Sequence, residues 1–146
     1  MAPATDLTAE RDYVLEAQVG YLLRLASQRH ATIFQKHAID QLTATQFTTL
    51  IRVAEQGDVS QNHLGRMAAM DVATVKGVVD RLKAKGLMQS TPDLVDKRRS
   101  VISLTPKGQA LIDDLKAMGL LITEETLAPL TQQERQTLIT LLRKIS

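Results

Sequence analysis

The chain has 146 residues, is 44% hydrophobic and only 3% aromatic, and contains no Trp and no Cys. That size allows one compact domain or two small lobes sharing an aliphatic core, and the missing Cys excludes disulfides, thiol redox sensing and cysteine-ligated metals. The formal charge of +2 is unevenly spread: Ser60 to Gly108 holds nine Lys/Arg against four Asp/Glu, net +5, and the remainder nine against twelve, net −3, a basic centre between acidic arms that points to an anion-binding lobe carried on a separate scaffold.

The N-terminus, "MAPATDLTAERD", has neither a basic head nor an apolar run, and no stretch approaches the roughly 18 apolar residues of a membrane span. A flexible segment over 1–11, a cytoplasmic location and no membrane partner are expected. From Asp12 to His37 the spacing predicts one long amphipathic helix with Leu15, Val19, Leu22, Ala26 and Ile33 on one stripe, shared by His30 and His37. Thr43 with Gln46 forms a capping box opening a helix from Ala44 to Gln56, which buries Phe47, Leu50 and Val53 and ends at Gly57. Ser60 caps a short helix, Gln61 to Ala69, burying Leu64 and Met67 or Ala68, and Asp71 caps the next, Val72 to Lys85. That helix ends on Lys83 and Lys85 before Gly86, with cations at its negative pole. Two short helices so closely joined are a helix-turn-helix signature.

Two strand-like pieces follow, Leu87 to Thr91 and Ser100 to Leu104, a hairpin whose tip carries Lys97, Arg98 and Arg99. Thr105-Pro106 starts a long helix reaching Leu127, with Ala110, Leu111, Leu115, Met118 and Ile122 on one side. Pro129 breaks it, and a second capping box, Thr131 with Glu134, opens a last helix through Leu138, Leu141, Leu142 and Ile145. The fold class is therefore mainly α with a small β-hairpin wing. A winged helix-turn-helix lobe spans 43–105, and a helical dimerisation lobe is made by the N-terminal helix of 12–42 and the C-terminal helices of 106–146.

Within the helix after Asp71, Val75, Val78, Val79 and Leu82 form the stripe to be buried. The opposite face carries Ala73, Thr74, Lys76, Gly77, Asp80, Arg81 and Ala84. A glycine inside a helix costs about 1 kcal/mol relative to Ala. Small residues at 73 and 77 let the backbone approach a base-pair floor while Thr74 and Lys76 reach base edges or phosphates, as a major-groove helix requires. Ser60, Gln61 and Asn62 stand where hydroxyl, amides and backbone N–H groups meet phosphate oxygens, although simple capping by Ser60 explains that residue equally well. Arg98, on a thin protruding loop, suits a narrow minor groove, with Lys97 and Arg99 on phosphates.

The segments "LTATQFTTL", "DVATVKGVVDRLKAKGLM" and "DLVDKRRSVISLTPKG", in this order and spacing, resemble the MarR family of winged helix-turn-helix regulators from Asp12 onward. The most specific part is D-x-x-D-x-R-x(5)-L-T-P-x-G at Asp93, Asp96, Arg98, Leu104, Thr105, Pro106 and Gly108. One departure is Leu94 after Asp93, where the family's wing often has Pro. The resemblance implies a homodimer joined through its terminal helices that binds a pseudo-palindromic double-stranded DNA operator. It also implies repression released by a small aromatic carboxylate bound between the lobes, and Asp96 holding the Arg98 side chain. Candidate effector contacts are Tyr21, Arg24, Arg29, His30, His37 and Phe47, a set of cations, imidazoles and flat apolar walls suited to an aromatic acid.

For the two stripe histidines, packing at the dimer interface, an effector contact and a metal site are all open. Seven residues of helix place them about 10 Å apart, too far to share one ion without further ligands, and no metal or other cofactor is expected. Enzymatic fingerprints are missing from the sequence: there is no G-x-S-x-G, no phosphate-binding glycine loop and no dinucleotide motif. Asp113-Asp114 and Glu124-Glu125 read as solvated helix faces. Two rival readings remain at this point, an effector-independent regulator or activator and a winged-helix module that binds an acidic protein.

Overall fold

The computed structural model describes residues 12–68 and 70–146. The segment expected to be flexible, 1–11, lies outside them. Helices α1 (Val19–His37), α2 (Ala44–Gln56), α3 (Gln61–Met67), α4 (Val72–Ala84), α5 (Pro106–Leu127) and α6 (Gln132–Ile145) accompany strands β1 (Val59–Ser60), β2 (Met88–Pro92) and β3 (Ser100–Leu104). The strands form one antiparallel sheet in the order β1-β3-β2. The fold is thus mainly helical with a β-hairpin wing, the winged helix-turn-helix arrangement the sequence predicts.

The caps explain most boundaries. Gln46 N–H donates to Thr43 Oγ1 and Thr43 N–H to Gln46 Oε1, both at 3.1 Å, closing the box that starts α2. Thr131 and Glu134 do the same at α6. Asp71 accepts from Thr74 N–H at 2.8 Å to start α4, and this backbone hydrogen bond holds its carboxyl below the usual Asp value. At the far end of α4, Gly86 takes φ +74, the left-handed turn a Cβ disfavours, and leads into β2.

The core lies under the wing and between α2, α4 and α5. Val75, Val78, Val79 and Leu82 of α4 are buried as expected, against Leu50, Val53, Leu64, Leu87 and Ile102. Gly108 sits so close to the start of β2 that a Cβ there would stand 2.2 Å from the Leu87 carbonyl oxygen. Thr105 N–H donates to that same carbonyl at 3.1 Å, and the Thr105 hydroxyl donates to the Gly86 carbonyl at 2.6 Å. The Thr-Pro-x-Gly start of α5 is therefore stitched directly onto the base of the wing.

Several expectations change. The helix predicted from Asp12 begins only at Val19, because Gln18 is extended (φ −84, ψ 134) after a 3-10 turn over Leu15–Ala17. The short helix expected to reach Ala69 ends at Met67, and Ala69 itself lies outside the described residues; α3 buries Leu64 with Gly65, while Met67 and Ala68 are half-buried. Helix α4 ends at Ala84, one residue short, with Lys85 as its cap. Phe47 is only half-buried, its place in α2 taken by Thr49 and Gln46. The buried stripe of α5 is Gly108, Ile112, Leu115, Met118 and Ile122, which leaves Ala110 outside and Leu111 at the edge.

Three features carry no local sequence signal. Strand β1 adds a third strand by pairing Val59 with Ile102 and Ser60 with Val101. A 3-10 turn over Ile39–Gln41 joins α1 to α2 with Asp40 (φ 52) and Gln41 (φ 56) both left-handed. Lys85 Nζ donates to the Asp40 carbonyl at 2.9 Å and so ties this turn to the end of α4. Finally, α6 buries nothing in the single chain, and Val19 at 66%, Leu120 at 72% and Ile145 at 65% remain exposed.

Candidate nucleic-acid interface

Every residue singled out for an anionic partner is exposed or half-exposed. Ala73, Thr74, Lys76 and Arg81 stand open on α4, and Gly77 lies half-buried among them. Their face opposes the buried Val75–Leu82 stripe because helical spacing puts the two sets on opposite sides. A Cβ at Gly77 would meet only Arg81 Nη1, at 3.4 Å. Lys76 pairs with Asp80 one turn on (3.1 Å), an exposed contact easily exchanged for another anion. The outer surface at residues 73 and 77 is thus bare backbone flanked by two cations.

The wing tip is internally organised. Asp96 Oδ1 accepts from Arg98 N–H and from Arg98 Nε, each at 3.1 Å, and Asp96 Oδ2 accepts from Arg98 Nη2 at 3.3 Å. These bonds, the side-chain ones first, hold the Asp96 carboxyl below its ordinary value. Arg98 meanwhile keeps 91% of its side chain in solvent. The carboxylate therefore fixes the base of the guanidinium without covering it, which limits the rotamer entropy lost on engaging a ligand. The departure at Leu94 leaves the loop closed: Asp93 N–H donates to the Arg99 carbonyl and Arg99 N–H to the Asp96 carbonyl, both at 3.0 Å, while Leu94 and Val95 project almost fully into solvent.

Two adjoining clefts join these parts. One, about 310 Å³, is bounded by Ser60 to Asn62, Arg66 and Arg98 to Ser100. The other, about 440 Å³, runs from Gln61, Asn62 and Arg66 to the start of α4 at Asp71, Val72 and Val75. Because Gln61, Asn62 and Arg66 border both, α3 stands between the wing and the N-terminal end of α4 on one continuous surface. Among the described residues no carboxylate lines the first cleft, so the surface can attract and orient a polyanion. Sequence reasoning passed over Arg66; the only signal for it was its spacing of four from Asn62, which puts both on one helix face.

The six effector candidates lie in separate places within the single chain. Tyr21 and Arg24 line a cleft with Tyr13, Leu15 and Gln18. Arg29, His30 and His37 close on the end of α5. Arg29 donates to the Thr126 and Glu125 carbonyls (2.6 and 3.0 Å), His30 Nδ1 meets Thr126 Oγ1 (2.9 Å), and His37 Nε2 meets Glu125 Oε2 (2.5 Å) beside Lys36 on Oε1 (2.7 Å). Of these groups Arg29 satisfies carbonyls at the negative pole of α5. Lys36 and His37 together hold the Glu125 carboxyl below its ordinary value. Glu124 pairs with Arg135 at 2.7 Å, so the Glu124-Glu125 pair, expected as a solvated face, instead anchors two other helices.

Phe47 lies elsewhere, edge-on to Phe34 at a centroid distance of 5.8 Å. It lines an open groove of about 600 Å³ between α2 and α5 with Thr48, Ile51, Lys116, Gly119 and Thr123. Among the described residues no group of His, Asp and Glu is placed to hold a metal ion. No helix among them is long and apolar enough to cross a membrane.

The family model described as "MarR family" matches residues 42–100, the stretch containing α2, α3, α4 and most of the wing. The chain is 43% identical to the HTH-type transcriptional repressor NicR of Pseudomonas putida, over 91% of this chain and 85% of that protein. A structure of Bordetella bronchiseptica BpsR, solved to explain regulation of its DNA binding by 6-hydroxynicotinic acid, superposes with a TM-score of 0.87 at 40% identity, covering 92% of this chain and 97% of that one. A mutant MarR from E. coli complexed with operator DNA superposes at 0.82 with 26% identity, over 92% and 99% of the two chains. The chain belongs to the MarR family of winged helix-turn-helix transcriptional regulators.

Proposed function

We propose that this chain is a dimeric repressor whose two winged lobes bind a pseudo-palindromic operator and release it when a small aromatic acid binds. The observation that carries the reading is the single surface on which the bare face of α4, the amides of α3 and the pre-aimed Arg98 meet with no carboxylate lining the cleft between α3 and the wing. Ala73, Thr74, Lys76, Gly77 and Arg81 enter the major groove, and Ser60, Gln61 and Asn62 meet phosphates beside it. Arg98, held by Asp96, enters the flanking minor groove with Lys97 and Arg99 on the backbone. The organisation is that of a DNA-binding lobe over 43–105 between dimerisation helices over 12–42 and 106–146. The apolar residues left exposed on α1, α5 and α6 are what a second copy would cover.

For the effector, the groove between α2 and α5 offers a flat wall from Phe47 and Ile51 and hydroxyls from Thr48 and Thr123. Lys116, without an ion-pair partner among the described residues, supplies a cation for a carboxylate. Leu120, which lines the groove, is also among the exposed apolar residues, so the groove opens at the dimer contact. The likeness to BpsR, whose DNA binding is regulated by 6-hydroxynicotinic acid, supports a hydroxylated pyridine carboxylic acid over other aromatic acids.

The test is a binding titration of a labelled upstream duplex at fixed salt, with and without 6-hydroxynicotinic acid. Expected are sequence-selective binding that weakens steeply with salt, loss of the complex on adding the acid, and a higher melting temperature for the acid-bound protein. Salt-independent or sequence-blind binding defeats the operator reading. DNA binding that no aromatic acid weakens defeats the effector reading alone.

A further inference from the structure

The cleft between α3 and the wing brings three guanidinium groups together with no carboxylate in its lining. Arg98 is already committed to Asp96. Arg66 and Arg99 are not comparably engaged. The contact of Arg66 is a long hydrogen bond from Nη2 to His63 Nδ1 (3.3 Å), and Arg99 Nε is 4.0 Å from Asp96 Oδ2. Cations gathered around one cleft favour an anion there.

The backbone fixes the two arginines before any ligand arrives. The β1–β3 ladder pairs Ser60 with Val101, so the chain leaves the sheet as Gln61 and Asn62 beside Ser100 and Arg99. Arg66 stands one helical turn beyond Asn62 on the same face of α3. The wing and α3 are thereby one rigid piece at this point, although far apart in sequence.

We propose that Arg66 and Arg99 clamp a single DNA backbone phosphate between α3 and the wing, with the Asn62 amide as an additional donor. A phosphate diester presents two free oxygens, and a planar guanidinium approaching from each side satisfies both with charge-assisted hydrogen bonds. The clamp fixes the register of the wing against α4 and reads no base itself. It rests on the operator-binding reading, and it makes Arg66 a positioning residue for DNA.

The experiment measures duplex affinity by anisotropy across a salt series for the wild type, Arg66→Ala, Arg99→Ala, the double variant and Arg66→Lys. Circular dichroism and a thermal melt confirm the fold of each, which the exposure of both side chains favours. Arg66→Ala is expected to bind about tenfold more weakly at 0.1 M salt, by the same factor on operator and on unrelated duplex. Because both arginines of a protomer serve one phosphate and the dimer carries two such clamps, the double variant should flatten the slope of log affinity against log salt by about 1.8 per dimer. Its affinity loss should differ from the product of the single losses. Arg66→Lys should restore the salt slope but only part of the affinity. A wild-type affinity and slope in Arg66→Ala overturns the proposal. So does a slope change of about 3.6 per dimer with multiplicative losses, which would mean two separate phosphates in each protomer. Weak, salt-insensitive binding by the wild type would instead overturn the operator reading beneath it.

Discussion

Gly77→Ala separates folding from DNA reading, because the two respond in opposite directions. In the free protein a Cβ at residue 77 meets only Arg81 Nη1 at 3.4 Å, the end of a flexible, exposed side chain that moves aside at little cost. Replacing an interior helical glycine then gains about 1 kcal/mol, which for a chain of this length raises the melting temperature by about 2–4 °C. On the operator the same methyl stands between α4 and the base edges, next to Ala73 and Thr74. Its cost should match that of a mismatched base pair, about 1–3 kcal/mol or roughly five- to 150-fold in affinity, while affinity for unrelated duplex, held by phosphates, stays near wild type. Differential scanning fluorimetry at fixed protomer concentration and anisotropy on both duplexes measure the two effects. Repeating the change in an Arg81→Ala background separates the methyl from any displacement of Arg81. A variant that melts higher yet binds operator like the wild type refutes the placement of this face in the groove, and one that melts lower refutes the reading of the space around Gly77.

Gly108→Ala forces a Cβ to within 2.2 Å of the Leu87 carbonyl, so backbone must shift; a loss at the upper end of about 1–3 kcal/mol in urea titration is expected, accompanied by weaker DNA binding because the wing base moves. Arg98→Ala should lower operator affinity by orders of magnitude with the dimer intact by size-exclusion chromatography, and Asp96→Asn should weaken operator binding more than non-specific binding because the guanidinium remains but loses its ionised partner. Glu125, held below its ordinary value of 4.5 by Lys36 and then His37, stabilises the fold at pH values above that ordinary value. The contribution is lost as pH falls through the depressed value. Glu125→Gln should therefore lower the melting temperature at pH 7 and flatten its fall between about pH 5 and 3; an unchanged acid limb would show that the α1–α5 clasp contributes nothing.

What could be read from the sequence was whatever a few neighbouring residues decide. Thr43 with Gln46, Asp71 with Thr74 and Thr131 with Glu134 each close a ring within four residues, so the helix starts follow from side-chain chemistry alone. The α4 stripe follows equally from 3.6-residue spacing. The α1 start did not, because the apolar stripe through Leu15 continues in register past Gln18, where the backbone nevertheless turns extended. Periodicity reports a face to be covered, not the element that carries it. For α5 Leu115, Met118 and Ile122 are buried as read and the error lay at the N-terminal end: Gly108 must face the wing because of its contact with Leu87, and Ile112 is inward in place of Ala110.

The part of the proposed DNA face that rests on local contacts was legible for the same reason, since Asp96 and Arg98 lie two residues apart and bond one another. Arg66 was not, because its significance depends on Arg99, thirty-three residues later, reaching the same cleft. That meeting is fixed by two residue pairs of β1 and β3, too short a strand to leave a propensity signal. The effector candidates divide in the same way. His30 and His37 share a helix face in the sequence beside Arg29, yet α5 ends against these residues and engages all three, through its carbonyls, the Thr126 hydroxyl and Glu125. An aromatic acid would have to break these contacts to use them, each compensating a helix terminus or a carboxylate, whereas Lys116 and the Phe47 wall stand open to it. The groove between α2 and α5, also lined by Arg52 and Glu55 paired with one another, is the proposed carboxylate site, and it lies between a helix of the proposed DNA-binding lobe and a helix of the proposed dimer contact. A ligand that wedges those two helices changes the spacing of the recognition helices without touching the DNA surface.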